Sequence, residues 1–92
     1  MTITIGNHEF DVVHYDARGD VLYLQVSEPE SEARTDATPE GHAVTWDGSG
    51  NVIGMTIVNA KWLLERDGKI TMTIPDLIET RAEDLEPALT AG

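Results

Sequence analysis

Three histidines, a pair of aspartates flanking a turn and one glycine-rich loop headed by aspartate are the residues here whose types could do chemistry. His8, His14 and His42 offer the nitrogen donors that zinc and related ions take. On one regular strand His8 and His14 would share a face with Phe10 and Val12. At roughly 3.3 Å per residue they would then stand about 20 Å apart, too far to hold one ion. A metal centre would need His14 with Asp16, or His42 approaching from another strand; solvated or hydrogen-bonded histidines are the commoner case. Asp47-Gly48-Ser49-Gly50-Asn51 matches the first, third and fifth ligand positions of a calcium loop. Val52 stands where that loop wants its sharp-turn glycine, and Val58 where it wants a bidentate glutamate, so a hairpin turn is the expectation.

Asp16 with Asp20, or Glu83 with Asp84, could form the carboxylate pair of a hydrolase only if an apolar pocket raised the proton affinity of one member. No such pocket is legible, and aspartates beside a turn ordinarily bond local backbone amides. Ser27, Ser31 and Ser49 fall in loops without a nucleophile elbow, and there is no cysteine. The glycines at 48, 50 and 54 neither lead a helix nor precede a lysine, which argues against a phosphate cradle. No catalytic residue, metal ligand or cofactor is assigned on these grounds. Among the aromatics, parity sets Tyr23 opposite Leu22 and Leu24, on the less buried side of its strand, where Val21 and Val58 join it. These three form the candidate interaction surface, while Trp46 and Trp62 are expected in the core.

The elements that must position these residues are mostly strands. Thr2 to Ile5 and Lys69 to Ile74 alternate with period two. Phe10 to Tyr15, Val21 to Val26, Ala43 to Trp46 and Val52 to Val58 are rich in β-branched and aromatic residues. Asp16 to Asp20, with Gly19 free to take positive φ, and Asp47 to Asn51 read as hairpin loops. Ser27 to Glu32 is an acidic crossing, and Ala33 to Ala37 adds a short edge strand before Pro39-Glu40-Gly41 turns the chain. Ala60 to Arg66 suits a helix of about two turns, with Asn59 as N-cap, Gly68 past its end and Trp62 and Leu63 on the sheet. Thr80 and Glu83 have capping-box spacing ahead of Leu85 and Leu89, in a segment that Pro87 should stop or kink. Pro75 closes the strand that ends at Ile74. The expectation is an α+β, mostly β domain: an antiparallel sheet of about five or six strands with one or two short helices on one face.

A chain of 92 residues has room for one core, so residues 1–92 are read as a single domain. Seventeen acidic residues against six lysines and arginines give a net charge of -11, which repels nucleic acid and anionic membranes. Met1 to Ile5 lacks the basic start and long apolar run of a signal peptide, which makes a cytoplasmic location the expectation. Without cysteine, stability rests on packing or on association with another chain.

Residues Tyr15 to Ala60 are similar to a bacterial family named for its domain of unknown function, number 2283. The similarity is carried by Tyr15-Asp16, by Asp20-Val21-Leu22-Tyr23-Leu24, by the acidic stretch that follows, and by Asp47 to Gly50 with Val52-Ile53-Gly54-Met55-Thr56-Ile57. The family pattern has an aliphatic or acidic residue where Trp46 stands, and it ends near Ala60, so the strand 69–74 and the tail 75–92 are additions. The resemblance implies a small intracellular β-rich protein, often from a short operon, with no catalytic residues to carry over. Together these readings favour a non-enzymatic interaction module. It would self-associate as a homodimer through its sheet, or act in an antitoxin-like way on a basic partner encoded next door. The alternative is a small-molecule or metal-binding protein, or an enzyme, with a site near His14, Asp16, Asp20 and His42.

Overall fold

Residues 2–28, 31–73 and 77–90 are described by the computed structural model. The chain opens with a hairpin, β1 (Ile3–Ile5) against β2 (His8–Phe10), joined through Gly6-Asn7. Gly6 takes φ 61°, as the first central position of a two-residue hairpin turn requires. Five further strands, β3 (Val12–Asp16), β4 (Val21–Gln25), β5 (Glu32–Ala37), β6 (Ala43–Asp47) and β7 (Val52–Val58), form one antiparallel sheet in the order β3-β4-β7-β6-β5. Then come α1 (Ala60–Asp67), a second hairpin of β8 (Lys69–Met72) with β9 (Ile78–Arg81), and α2 (Ala82–Leu89). The fold is α+β and mostly β, as the alternation in the sequence predicts. No helix among the described residues is long and apolar enough to cross a membrane.

Register divides the sheet into two unlike faces, because cross-strand partners always point to the same side. Inward lie Tyr15, Leu22, Leu24, Val44, Trp46, Met55 and Ile57, all buried. The two hairpins and two helices cover them with Ile3, Ile5, Phe10, Leu64, Ile70, Met72, Ile78, Leu85 and Ala88. Outward lie three rows. The first runs Val12, Gln25, Gly54, Thr45, Thr35 and the second His14, Tyr23, Thr56, Ala43, Ala37, with Asp16, Val21 and Val58 making up the third.

Several sequence expectations need correction. Phe10 to Tyr15 is not one strand. The chain bends at Asp11, whose Oδ1 accepts the Ser27 amide at 2.8 Å, so Phe10 is buried in one hairpin while Val12 stands 42% exposed on the sheet. His8 and His14 therefore belong to different sheets. Thr80 does not cap a helix: it is buried in β9 opposite Ile70, and α2 starts at Ala82, whose amide bonds Gly68 O. Pro87 does not stop α2, which continues to Leu89. Burial of Leu85 and Ala88 against the core holds the helix in spite of the one backbone donor the ring removes. Trp62 is 53% exposed, outside the core, with the Arg66 guanidinium 4.5 Å from its ring centre. The expected end of the third alternating strand, Ile74 with Pro75, lies outside the described residues.

The turn after β3 differs most from expectation. Positive φ falls on Asp20, at 55°, not on Gly19, and aspartate is among the few side chains that tolerate it. This conformation carries its carboxylate to the start of α1, where Oδ1 accepts the Lys61 amide at 2.8 Å and Oδ2 the Trp62 amide at 3.0 Å. Asn59, expected as the cap, holds the N-cap position in a left-handed conformation without any side-chain cap bond. The Tyr15 hydroxyl donates to Asp20 Oδ1 at 2.6 Å, and the Asp20 carbonyl accepts the Ala60 amide. Burial opposes ionisation of Asp20, but the bonds from Tyr15, Lys61 and Trp62 outweigh it and hold its carboxyl below the ordinary range. Burial, then the bond to Asp20, pushes the Tyr15 phenol up to about 12. Asp20→Ala is expected to cost about 2 kcal/mol in urea unfolding through loss of the cap, and Tyr15→Phe about 1 kcal/mol. Because both act through one carboxylate, the double variant should lose less than the sum of the two.

Candidate functional site

The residues singled out as possible ligands or catalysts do not assemble into one pocket. His14 lies on the outer face, its ring stacked on Tyr23 with centroids 6.0 Å apart and planes 24° apart. Asp16 turns its Oδ1 to the amides of Arg18 and Gly19, and the Asp20 carboxylate is committed to α1. His42 belongs to the opposite, inner side, where it is 3% exposed. Strand β6 starts one residue later, so the Val58 amide at the end of β7 has no ladder partner there, and His42 Nδ1 accepts it at 3.1 Å. That bond needs an unprotonated Nδ1, and burial accordingly pulls the imidazole below its ordinary value, against a smaller opposing pull from the Glu40 carboxylate.

Asp47 resolves the calcium-loop resemblance. Its Oδ1 accepts the Ser49 and Asn51 amides, both at 2.9 Å, and Oδ2 accepts the Asn51 side-chain amide at 3.2 Å. With Gly50 at φ 84°, the five residues form a self-bonded turn, and the bonds from Asn51 foremost hold the Asp47 carboxyl below its ordinary range. No three His, Cys, Asp or Glu side chains converge as metal ligands among the described residues.

What the fold does gather is the outer face. Tyr23 is 42% exposed there, Val12 equally so, and Val58 37%. Val21 pairs with Val58, and Tyr23 follows one row along, so the three residues picked from parity do share this side. With histidine counted neutral, the only formally charged member of the three rows is Asp16, and its carboxylate is bent into the adjoining turn. Among the described residues no element makes its main contacts over these rows, whereas the inner face is covered except along β5, where Arg34 and Asp36 stay exposed. Sequence reading missed a groove of about 300 Å³ within this face, floored by Gly54 and walled by Tyr23, Gln25, Thr45, Thr56 and Glu32. The signal available for it was a glycine in mid-strand.

A two-layer α+β domain with one covered and one bare sheet face is the class of protein this geometry defines. The chain belongs to the family described as Protein of unknown function (DUF2283), whose model matches residues 13–61. Neither a curated protein nor a solved structure matches the chain. The matched segment contains the five-stranded sheet from Val13 onward and stops at Lys61, the residue whose amide Asp20 holds. Both cover hairpins and α2 lie outside it.

The His42 bond yields a test with a definite sign. Its folded-state proton affinity lies below the ordinary value of about 6.5, so on acidification the unfolded chain takes up the proton first. Stability from this residue is complete above that value and falls as pH drops through it. Unfolding free energies from urea titrations between pH 8 and pH 5 should decline in the wild type by up to about 1.4 kcal/mol per pH unit, the limit for one proton. His42→Gln keeps an acceptor without titrating and should flatten that decline. Equal slopes in both proteins would show that His42 is not responsible.

Proposed function

We propose that this chain is a non-enzymatic protein-interaction module that pairs with a second copy of itself through the outer face of its five-stranded sheet. One observation carries the reading: in a molecule of net charge -11, the three outward rows hold aliphatic, aromatic, hydroxyl and amide side chains, with Asp16 bent into its own turn and Glu32 at the edge beside Thr35 as the carboxylates on this side. With so few carboxylates on this side, two copies meet here with less like-charge repulsion than the net charge of the whole molecule would impose. The sheet's β5 edge is a poor alternative, since Arg34 and Asp36 on that strand form an ion pair and discourage strand addition.

The size of the face bounds the affinity. Five strands about 4.8 Å apart and three rows spanning about 17 Å make a projected area of roughly 400 Å² per copy. That is about half the area per partner of a standard stable interface, so the pair is a weak one, of micromolar strength at best. The reading includes a cytoplasmic setting and no nucleic-acid partner, since a net charge of -11 repels a polyanion. A basic partner protein encoded nearby is the competing occupant of the same face.

Salt separates the two. Repulsion between two copies of charge -11 is screened as ionic strength rises, so self-association should tighten between 50 and 500 mM salt, about tenfold. Attraction to a basic partner would weaken over the same range. Sedimentation equilibrium should give twice the 10.1 kDa chain mass at high micromolar concentration. Val58→Glu, which plants a carboxylate on the face, should return the monomer. A wild-type monomer throughout that range would overturn the proposal.

A further inference from the structure

Gly54 has no conformational reason to be glycine. Its φ lies outside the left-handed region, and the nearest atoms a Cβ built there would meet are Leu24 O at 3.4 Å, Gln25 Cγ at 3.7 Å and Thr45 Cβ at 3.7 Å, ordinary contacts. Mid-strand glycine costs about 0.5–1 kcal/mol relative to alanine, so the position loses stability without gaining a turn. What the missing side chain provides is the floor of the groove. At about 300 Å³ the groove stands at the bottom of the range that small-molecule sites occupy and is the right scale for one inserted side chain.

Tyr23 stands beside it. Tyr23 pairs with Thr56, and Gly54 lies two residues along the same strand on the same face, so the projecting ring and the hollow are diagonal neighbours about 7–8 Å apart. A projection and a hollow side by side on one surface are self-complementary about a two-fold axis: each ring enters the other copy's hollow. Facing sheets sit about 10 Å apart, a gap that a tyrosine side chain spans. We infer, resting on the pairing proposed above, that the dimer is held by reciprocal insertion of Tyr23 into the groove over Gly54 of the second copy. The phenol then reaches the polar rim, where Gln25 supplies an amide and Glu32 a carboxylate that already accepts from Thr35 Oγ1 at 3.0 Å. Aromatic anchors buried in pockets are the residues on which association energy ordinarily concentrates.

Two variants remove opposite halves of the contact. Tyr23→Ala deletes the ring and one wall of its own groove but leaves the floor over Gly54 open, whereas Gly54→Leu fills the groove and leaves the ring. Each alone should weaken dimerisation in sedimentation equilibrium by about thirtyfold or more. Mixed together, the Gly54→Leu copy still offers a ring to the open groove of the Tyr23→Ala copy, so the mixture should form more dimer than either variant by itself. Circular dichroism and urea midpoints check that both monomers fold, and Tyr23→Ala keeps the test decisive if Gly54→Leu does not. A dimer that survives both changes but is abolished by Val58→Glu would overturn the insertion and leave the pairing face standing. A monomeric wild type would overturn both.

Discussion

One carboxylate ties this fold together. Asp20 sits at the hinge between β3 and β4, yet its oxygens are spent on the first turn of α1, forty-one and forty-two residues further along the chain. The helix leaves β7 by way of Asn59 in a left-handed conformation with no side-chain cap of its own, which leaves its first amides to water unless another group takes them. Asp20 satisfies two of them and Tyr15 fixes the carboxylate in place. The chain is thereby directed off the sheet onto the inner side, where α1, β8, β9 and α2 follow.

That direction decides which face of the sheet is covered. Ala60 and Leu64 enter the core from α1, and the later hairpin and helix add Ile70, Met72, Ile78, Leu85 and Ala88 over Leu22, Leu24, Met55 and Ile57. Nearly half of the buried cluster lies inside the family segment 13–61, and the remainder comes from the flanking elements. The opposite face is left with side chains too apolar and too uncharged for the acidic surface around it. Exposed aromatic and aliphatic groups gathered on one side of a small domain are the usual mark of a contact surface.

The strands that alternate cleanly were readable, and so was the left-handed glycine at Gly68 that ends α1, because each depends on neighbours in sequence. Readings failed where a distant group took over a local role. Asn59 has the composition of a cap, but Asp20 does the capping. Thr80 and Glu83 have capping spacing, but pairing with β8 draws Thr80 into a strand. Phe10 and Val12 look like one face of one strand until Ser27 anchors the bend at Asp11. Trp62 carries the apolar bulk of a core residue, yet its place on α1 turns it to solvent beside Arg66.

The candidate site divides the same way. Parity alone put Tyr23, Val21 and Val58 on one side, since alternation in an extended strand is a property of the backbone. The sequence also determined the acidity and the turn at Asp47, whose bonds are all local. Only the tertiary structure decided that His14 and His42 face opposite ways, that Asp20 reaches a helix, and that Gly54 opens a groove beside Tyr23. Each of these depends on strand order and register, and those are set by side chains far apart in sequence packing into one interior.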